Sequence, residues 1–132
     1  MPNQDAIRVV VIDDDEMVSD LTAMFLTQSG YSVHVATTGE KGIQLVRAVL
    51  PAVVLCDIEM RGTGGREVVE ALRSDVSTRN IPIALMSGRL EPESFASGDA
   101  FISKPFSADD IVVTVKRLIA SAQSRLKKDT AP

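Results

Sequence analysis

The feature that most constrains this chain is a pair of β-branched apolar runs without polar alternation. Ile7-Arg8-Val9-Val10-Val11-Ile12 and Val53-Val54-Leu55-Cys56 are nearly continuous. A strand with one wet face alternates apolar and polar residues. A strand covered on both faces does not, and such strands belong to parallel sheets. Counting these two, strands are predicted over 7–12, 31–36, 52–56, 81–86 and 100–102.

The intervening stretches carry a helical period. Met17, Val18, Leu21, Met24 and Phe25 fall at three- and four-residue steps, and Ser29-Gly30 closes that helix. Ile43, Val46 and Leu50 repeat the pattern, with Thr38 as N-cap and Pro51 as terminator. A third helix over 65–74 carries Val68, Val69 and Leu72. The last opens after Ser107 with Asp109 and Asp110 in its first turn. It carries Ile111, Val112, Val115, Leu118, Ile119, Ala122 and Leu126, and ends in Arg125, Lys127 and Lys128. The methionines are assigned to core packing. Strand–helix alternation with short loops predicts βαβ units, a parallel sheet and right-handed crossovers, in the order βαβαβαβ(α)βα.

Composition narrows the class. The 132 residues predict one domain, 1–132, with its core over about 7–125 and only 1–5 and 129–132 frayed. Hydrophobic residues at 45% and charged residues at 24% exclude wholesale disorder. A lone cysteine, Cys56, excludes an internal disulfide framework and a multi-cysteine zinc site, and reads as a small buried hydrophobe. A net charge of −4 speaks against a nucleic-acid-binding face. No apolar run nears the roughly 18 residues of a membrane span. Residues 1–5 lack the basic-then-apolar pattern of a secretory signal. A soluble protein of the cytoplasm, without membrane contact, is expected.

In open α/β sheets, ligands bind beyond the C-terminal strand ends. After the first run come Asp13, Asp14, Asp15 and Glu16; after the third, Asp57; after the fourth, Ser87; after the fifth, Lys104-Pro105. Clustered carboxylates repel unless a cation neutralises them. Oxygen ligands with no His or Cys beside them suit a hard divalent ion such as Mg²⁺. A metal and an ammonium screening charge beside a carboxylate nucleophile make apparatus for phosphoryl chemistry. Taken singly, these residues have plainer readings. The acidic run caps a helix, Asp15 and Glu16 keeping that role; Ser87 is a loop hydroxyl, Lys104 a surface lysine and Phe101 a core residue. His34 reads as structural or surface.

Taken together and in order, Val9-Val10-Val11-Ile12-Asp13-Asp14-Asp15, Val53-Val54-Leu55-Cys56-Asp57-Ile58-Glu59-Met60, Ala84-Leu85-Met86-Ser87-Gly88 and Ser103-Lys104-Pro105-Phe106 carry a resemblance. The chain resembles the receiver domain of two-component response regulators, of the single-domain chemotaxis-regulator kind, over about 7–125. That implies a doubly wound, five-stranded flavodoxin-like sheet of order 2-1-3-4-5. It implies a phosphoryl group accepted on Asp57 from a histidine kinase or histidine phosphotransfer protein, with Mg²⁺ as cofactor. Asp13, Asp14, Asp57 and the main-chain carbonyl of Glu59 match the metal ligands, Asp14 more directly and Asp13 largely through water. Ser87 and Lys104 match the phosphoryl-binding pair, the Lys104–Pro105 bond is cis in the family, and Phe101 matches the aromatic switch. The implied output is a conformational change read by a protein partner, not an enzymatic turnover.

Three departures matter. Where the family commonly has proline and then Asp-Gly, this chain reads Arg61-Gly62-Thr63-Gly64-Gly65, with three glycines in four residues. The segment from Ser87 to Lys104 is shorter than in the family, which predicts a fourth helix reduced to about one turn over 93–97 and leaves oligomeric state open. Glu59 and Arg89 stand two residues past Asp57 and Ser87, where the family tunes phosphoryl lifetime, and are expected to pair across the mouth. Two competing readings stand beside this one. The first is a haloacid-dehalogenase-type phosphatase with Asp13 as nucleophile in Asp13-x-Asp15, and Ser87, Lys104 and Asp109-Asp110 as its later motifs. The second is a receiver-like interaction module that is never phosphorylated.

Overall fold

The computed structural model describes residues 6–88 and 98–130, with side chains described as far as residue 125. Strands β1 (Arg8–Ile12), β2 (Ser32–Ala36), β3 (Val53–Asp57), β4 (Ile83–Ser87) and β5 (Ala100–Ser103) form one sheet. Its order is β2-β1-β3-β4-β5, all neighbours parallel. Helices α1 (Glu16–Gln28), α2 (Gly39–Val49), α3 (Gly65–Arg73) and α4 (Ala108–Thr130) complete the described elements. The predicted fourth-helix turn and Arg89 lie outside the described residues.

The continuous runs behave as their chemistry requires. Every residue of β3 and β4 is buried, as are Val9, Val10, Val11 and Ile12 of β1. Successive side chains alternate between faces. Val9, Val11, Val53, Leu55, Ala84 and Met86 meet Leu26 of α1 and Ile111, Val115 and Leu118 of α4. Val10, Ile12, Val54, Cys56, Ile83 and Leu85 meet Val46 of α2 and Val68, Val69 and Leu72 of α3. Two helical layers therefore sandwich the sheet, and all strand C-termini share one rim.

Local chemistry sets the helix starts. The Asp15 carboxylate accepts the N–H groups of Met17 and Val18, and the Thr38 hydroxyl accepts that of Lys41. Ser107 and Asp110 cap α4 reciprocally: each side chain accepts the other's N–H. No side chain caps α3; Gly64 stands at its N-cap. Gly65 lets that helix press against the end of β3, where a Cβ would fall 2.7 Å from Ile58 Cα and 2.9 Å from the Asp57 carbonyl oxygen. Farther along, the Arg73 guanidinium ties the end of α3 to the carbonyls of Arg79 and Ile81 and to Asp99 at 2.6 Å, and Asp99 also accepts the N–H of Ile83 at the start of β4.

Two expectations need correction. The α1 methionines are not core residues: Met17 is 80% exposed and Met24 46%, with Leu21 at 40% beside them. The face turned inward is Ser19, Thr22 and Leu26. Its hydroxyls are satisfied within the helix, Ser19 donating to the Glu16 carbonyl and Thr22 to that of Val18, so they can be buried without penalty. Leu50 does not extend the buried stripe of α2 either. It ends the helix in the left-handed region at φ 50° and is half exposed, Pro51 following.

Candidate functional site

The parallel register carries two carboxylates, a hydroxyl and an ammonium to one rim. Ile12 pairs with Cys56, Asp57 with Met86, and Ser87 with Ser103. Asp13, Asp57, Ser87 and Lys104 therefore stand at or one step beyond neighbouring strand ends. The ladder continues just past them: the Asp13 N–H donates to the Ala36 carbonyl, the Ile58 N–H to Met86 and the Lys104 N–H to Ser87. The Lys104–Pro105 peptide is cis.

Asp13 is wholly buried and Asp57 is 4% exposed. The Lys104 ammonium lies between them, 3.2 Å from Asp13 Oδ2 and 3.3 Å from Asp57 Oδ1. It is aligned as a donor to Asp13. Toward Asp57 it acts as a nearby charge, and Asp57 Oδ1 is buried without an aligned hydrogen-bond donor. Asp13 Oδ1 also accepts the N–H of Asp15. Burial, and then the Asp13 charge, push the Asp57 carboxyl up to about 6, against the pull of Lys104. Burial works against the Lys104 ammonium, but the Asp57 and Asp13 charges outweigh it and raise its pKa. Burial, reinforced by the same two carboxylates, raises the Cys56 thiol, so this cysteine is an inert hydrophobe.

Asp14 is half-buried beside this pair. Its Oδ2 accepts the main-chain N–H of Arg61 at 3.1 Å, while the exposed Arg61 guanidinium is 3.9 Å away. Ligand atoms of Asp13, Asp14 and Asp57 all lie within 4.8 Å of one another. Three carboxylates against one ammonium leave a net deficit of positive charge, and the donors are all oxygen. With Asp57 Oδ1 lacking an aligned donor, this set fits a hard divalent cation.

The Ser87 hydroxyl, at a residue 1% exposed, donates to the Glu59 carboxylate. Phe101 is half-buried against the cluster that contains Leu85, its partner in register. Asp109 and Asp110 lie in the first turn of α4, where Asp110 caps the helix with Ser107. That is a structural role and leaves the phosphatase reading without its later acidic motif.

The family model for the response regulator receiver domain matches residues 9–116. The chain belongs to this family. Among curated relatives, this receiver is 32% identical over 117 residues to the DNA-binding dual master transcriptional regulator RpaA of Synechocystis, covering 85% of the chain and 48% of that protein. To the transcriptional regulatory protein SrrA of Staphylococcus aureus it is 29% identical over 130 residues, covering 95% of the chain and 53% of the relative. The chain thus spans about half the length of the curated relatives it matches. Among solved structures, the Vibrio cholerae chemotaxis protein CheY4 superposes with a TM-score of 0.82 at 22% identity, covering 86% of this chain and 98% of that one. The signal receiver domain of a histidine kinase from Syntrophus aciditrophicus superposes at 0.80 with 21% identity, covering 88% and 92%. Both share the fold of this receiver. Among the described residues no helix is long and apolar enough to cross a membrane.

Sequence reasoning located the rim residues but missed two contacts. Neither the Arg61 N–H on Asp14 nor the Glu59 side chain on Ser87 was anticipated. The first had a faint signal, because a non-proline residue at 61 retains an N–H to donate.

Proposed function

We propose that this receiver accepts a phosphoryl group on Asp57 from a phosphohistidine of a histidine kinase or histidine phosphotransfer protein, acting in the cytoplasm with Mg²⁺ as cofactor. The observation that carries the reading is the Asp57 carboxylate, buried at a strand end with one oxygen lacking an aligned donor and an ammonium 3.3 Å away. In the transfer, an Asp57 oxygen attacks phosphorus, the P–N bond breaks, and its electron pair leaves on the imidazole nitrogen. The product is an aspartyl phosphate, so Asp57 is a stoichiometric acceptor rather than a turnover catalyst. A Mg²⁺ ion held by Asp13, Asp14, Asp57 and the main-chain carbonyl of Glu59 would neutralise the charge gathered on the transferring group. Lys104 pairs with the phosphoryl oxygens, and Ser87 donates its hydroxyl to them. That movement of Ser87 draws half-buried Phe101 inward and alters the surface a downstream protein reads. Glu59 and Arg89 set how long the group survives hydrolysis.

The exposed face of α1 supports a protein donor. Met17, Leu21 and Met24 recur at helical spacing, and the stripe starts four residues after Asp13 at the pocket rim. Apolar side chains so placed suit a partner that must cover the mouth while delivering its phosphohistidine.

The test is intact mass after incubation with Mg²⁺ and acetyl phosphate, in wild type, Asp57→Ala and Asp13→Ala. A gain of one phosphoryl group that disappears in Asp57→Ala supports the reading. A gain mapped to Asp13 overturns it in favour of a phosphatase-type nucleophile. No gain with the metal bound, together with no transfer from a phosphorylated histidine phosphotransfer domain, leaves an interaction module that works unphosphorylated.

A further inference from the structure

We infer that the Glu59 carboxylate is an internal latch that holds Ser87 in the place of the phosphoryl group, so that the resting receiver is ligated by its own chain. The inference rests on the reading of Asp57 as acceptor and goes beyond it in naming what the incoming group must displace.

Ser87 ends β4, and its hydroxyl is buried where an unpaired donor is costly. Its proton goes to Glu59, an exposed residue two positions past Asp57 whose side chain reaches back over the rim. A hydroxyl has one proton to donate. Ser87 can give it to Glu59 or to a phosphoryl oxygen, not to both. The two states therefore exclude each other by proton count. Charge reinforces the exclusion, because Asp13, Asp14 and Asp57 already crowd the site with Lys104 between two of them. A fourth carboxylate disfavours an incoming dianion.

Arg61, on the same β3–α3 loop, occupies the other half of the site by donating its N–H to Asp14. The loop thus satisfies one anion acceptor and one hydroxyl donor with its own atoms. Opening it is the conformational step that phosphorylation drives, and the strength of the Glu59–Ser87 bond sets the threshold.

The experiment measures beryllofluoride affinity in saturating Mg²⁺ by calorimetry, using beryllofluoride as the phosphoryl mimic, for wild type, Glu59→Ala, Glu59→Gln, Ser87→Ala and the Glu59→Ala/Ser87→Ala double variant. A charge-assisted hydrogen bond of this kind predicts about a tenfold gain in affinity for Glu59→Ala in the wild-type background. In the Ser87→Ala background that gain shrinks to the residue of charge removal, about two- to threefold. Glu59→Gln keeps a weaker acceptor and gives an intermediate gain. An equal gain from Glu59→Ala in both backgrounds, or from Gln and Ala alike, overturns the latch, because charge alone then accounts for it. So does the absence of any gain. Wild type that binds no beryllofluoride, with acetyl phosphate leaving Asp57 unmodified, overturns the acceptor reading and the latch with it.

Discussion

Removing one negative charge from the site, by Asp14→Asn, stabilises the metal-free receiver. Asp14 repels Asp13 and Asp57 at separations no greater than 4.8 Å between ligand atoms. At that distance a like-charge pair costs about 3.5 kcal/mol at an effective dielectric of 20, and about 0.9 kcal/mol fully in water. The Lys104 ammonium, 3.2 Å from Asp13 and 3.3 Å from Asp57, neutralises one charge of that pair, so Asp14 faces about one net negative charge. One repulsion remains, and the Asp14 side chain is 26% exposed, which places it between those limits. The loss on the other side is small. The Arg61 guanidinium is 98% exposed at 3.9 Å, a pair worth about 0–1 kcal/mol, and an asparagine amide oxygen still accepts the Arg61 N–H. The net gain is about 1–2 kcal/mol, or an increase in Tm of about 3–8 °C for a chain of this size. Thermal unfolding in EDTA reads it, with Asp20→Asn as an exposed control that moves stability by no more than about 0.5 kcal/mol. In saturating Mg²⁺ the order narrows or reverses, since binding to the folded state stabilises wild type more than a variant short of one ligand. Asp14→Asn that unfolds earlier in EDTA refutes the repulsion, and one that gains as much from Mg²⁺ as wild type refutes the ligand assignment.

Three further outcomes follow from the geometry. Gly65→Ala drives a Cβ onto the backbone of Ile58 and Asp57, costing about 1–3 kcal/mol in urea unfolding and weakening Mg²⁺ affinity measured by calorimetry, because the acceptor strand must shift. Replacing exposed Met17 and Leu21 together by serine changes stability by no more than about 1 kcal/mol, yet slows transfer from a phosphorylated histidine protein far more than transfer from acetyl phosphate. Cys56, buried with its thiol pKa raised, reacts with a thiol reagent only through the opened state, so at reagent concentrations where reclosing outpaces reaction Asp14→Asn in EDTA slows it by the factor its stability gain predicts.

Much of the fold was written in short-range pattern. Continuous apolar runs mark strands with both faces covered, and where each run stops decides which residue reaches the rim. Asp13, Asp57, Ser87 and Lys104 could therefore be placed at one edge before any contact was known. The Thr38 and Asp15 caps were legible for the same reason, since cap and helix start are neighbours in sequence. Strand boundaries moved by a residue or two, as when Ser87 proved to close β4 rather than follow it.

What the pattern did not determine depends on contacts across the chain. The apolar spacing of α1 names a face but not whether anything covers it. The packing of α1 buried Ser19 and Thr22 and left Met17 and Met24 outside, because hydroxyls bonded within a helix are cheap to bury. The Lys104–Asp13 pair spans 91 residues, the Arg61–Asp14 bond 47 and the Ser87–Glu59 bond 28. Residue type and order bring such groups to one rim. Which oxygen each proton finds there is decided by the path of the loops in three dimensions, for which no local periodicity carries a signal.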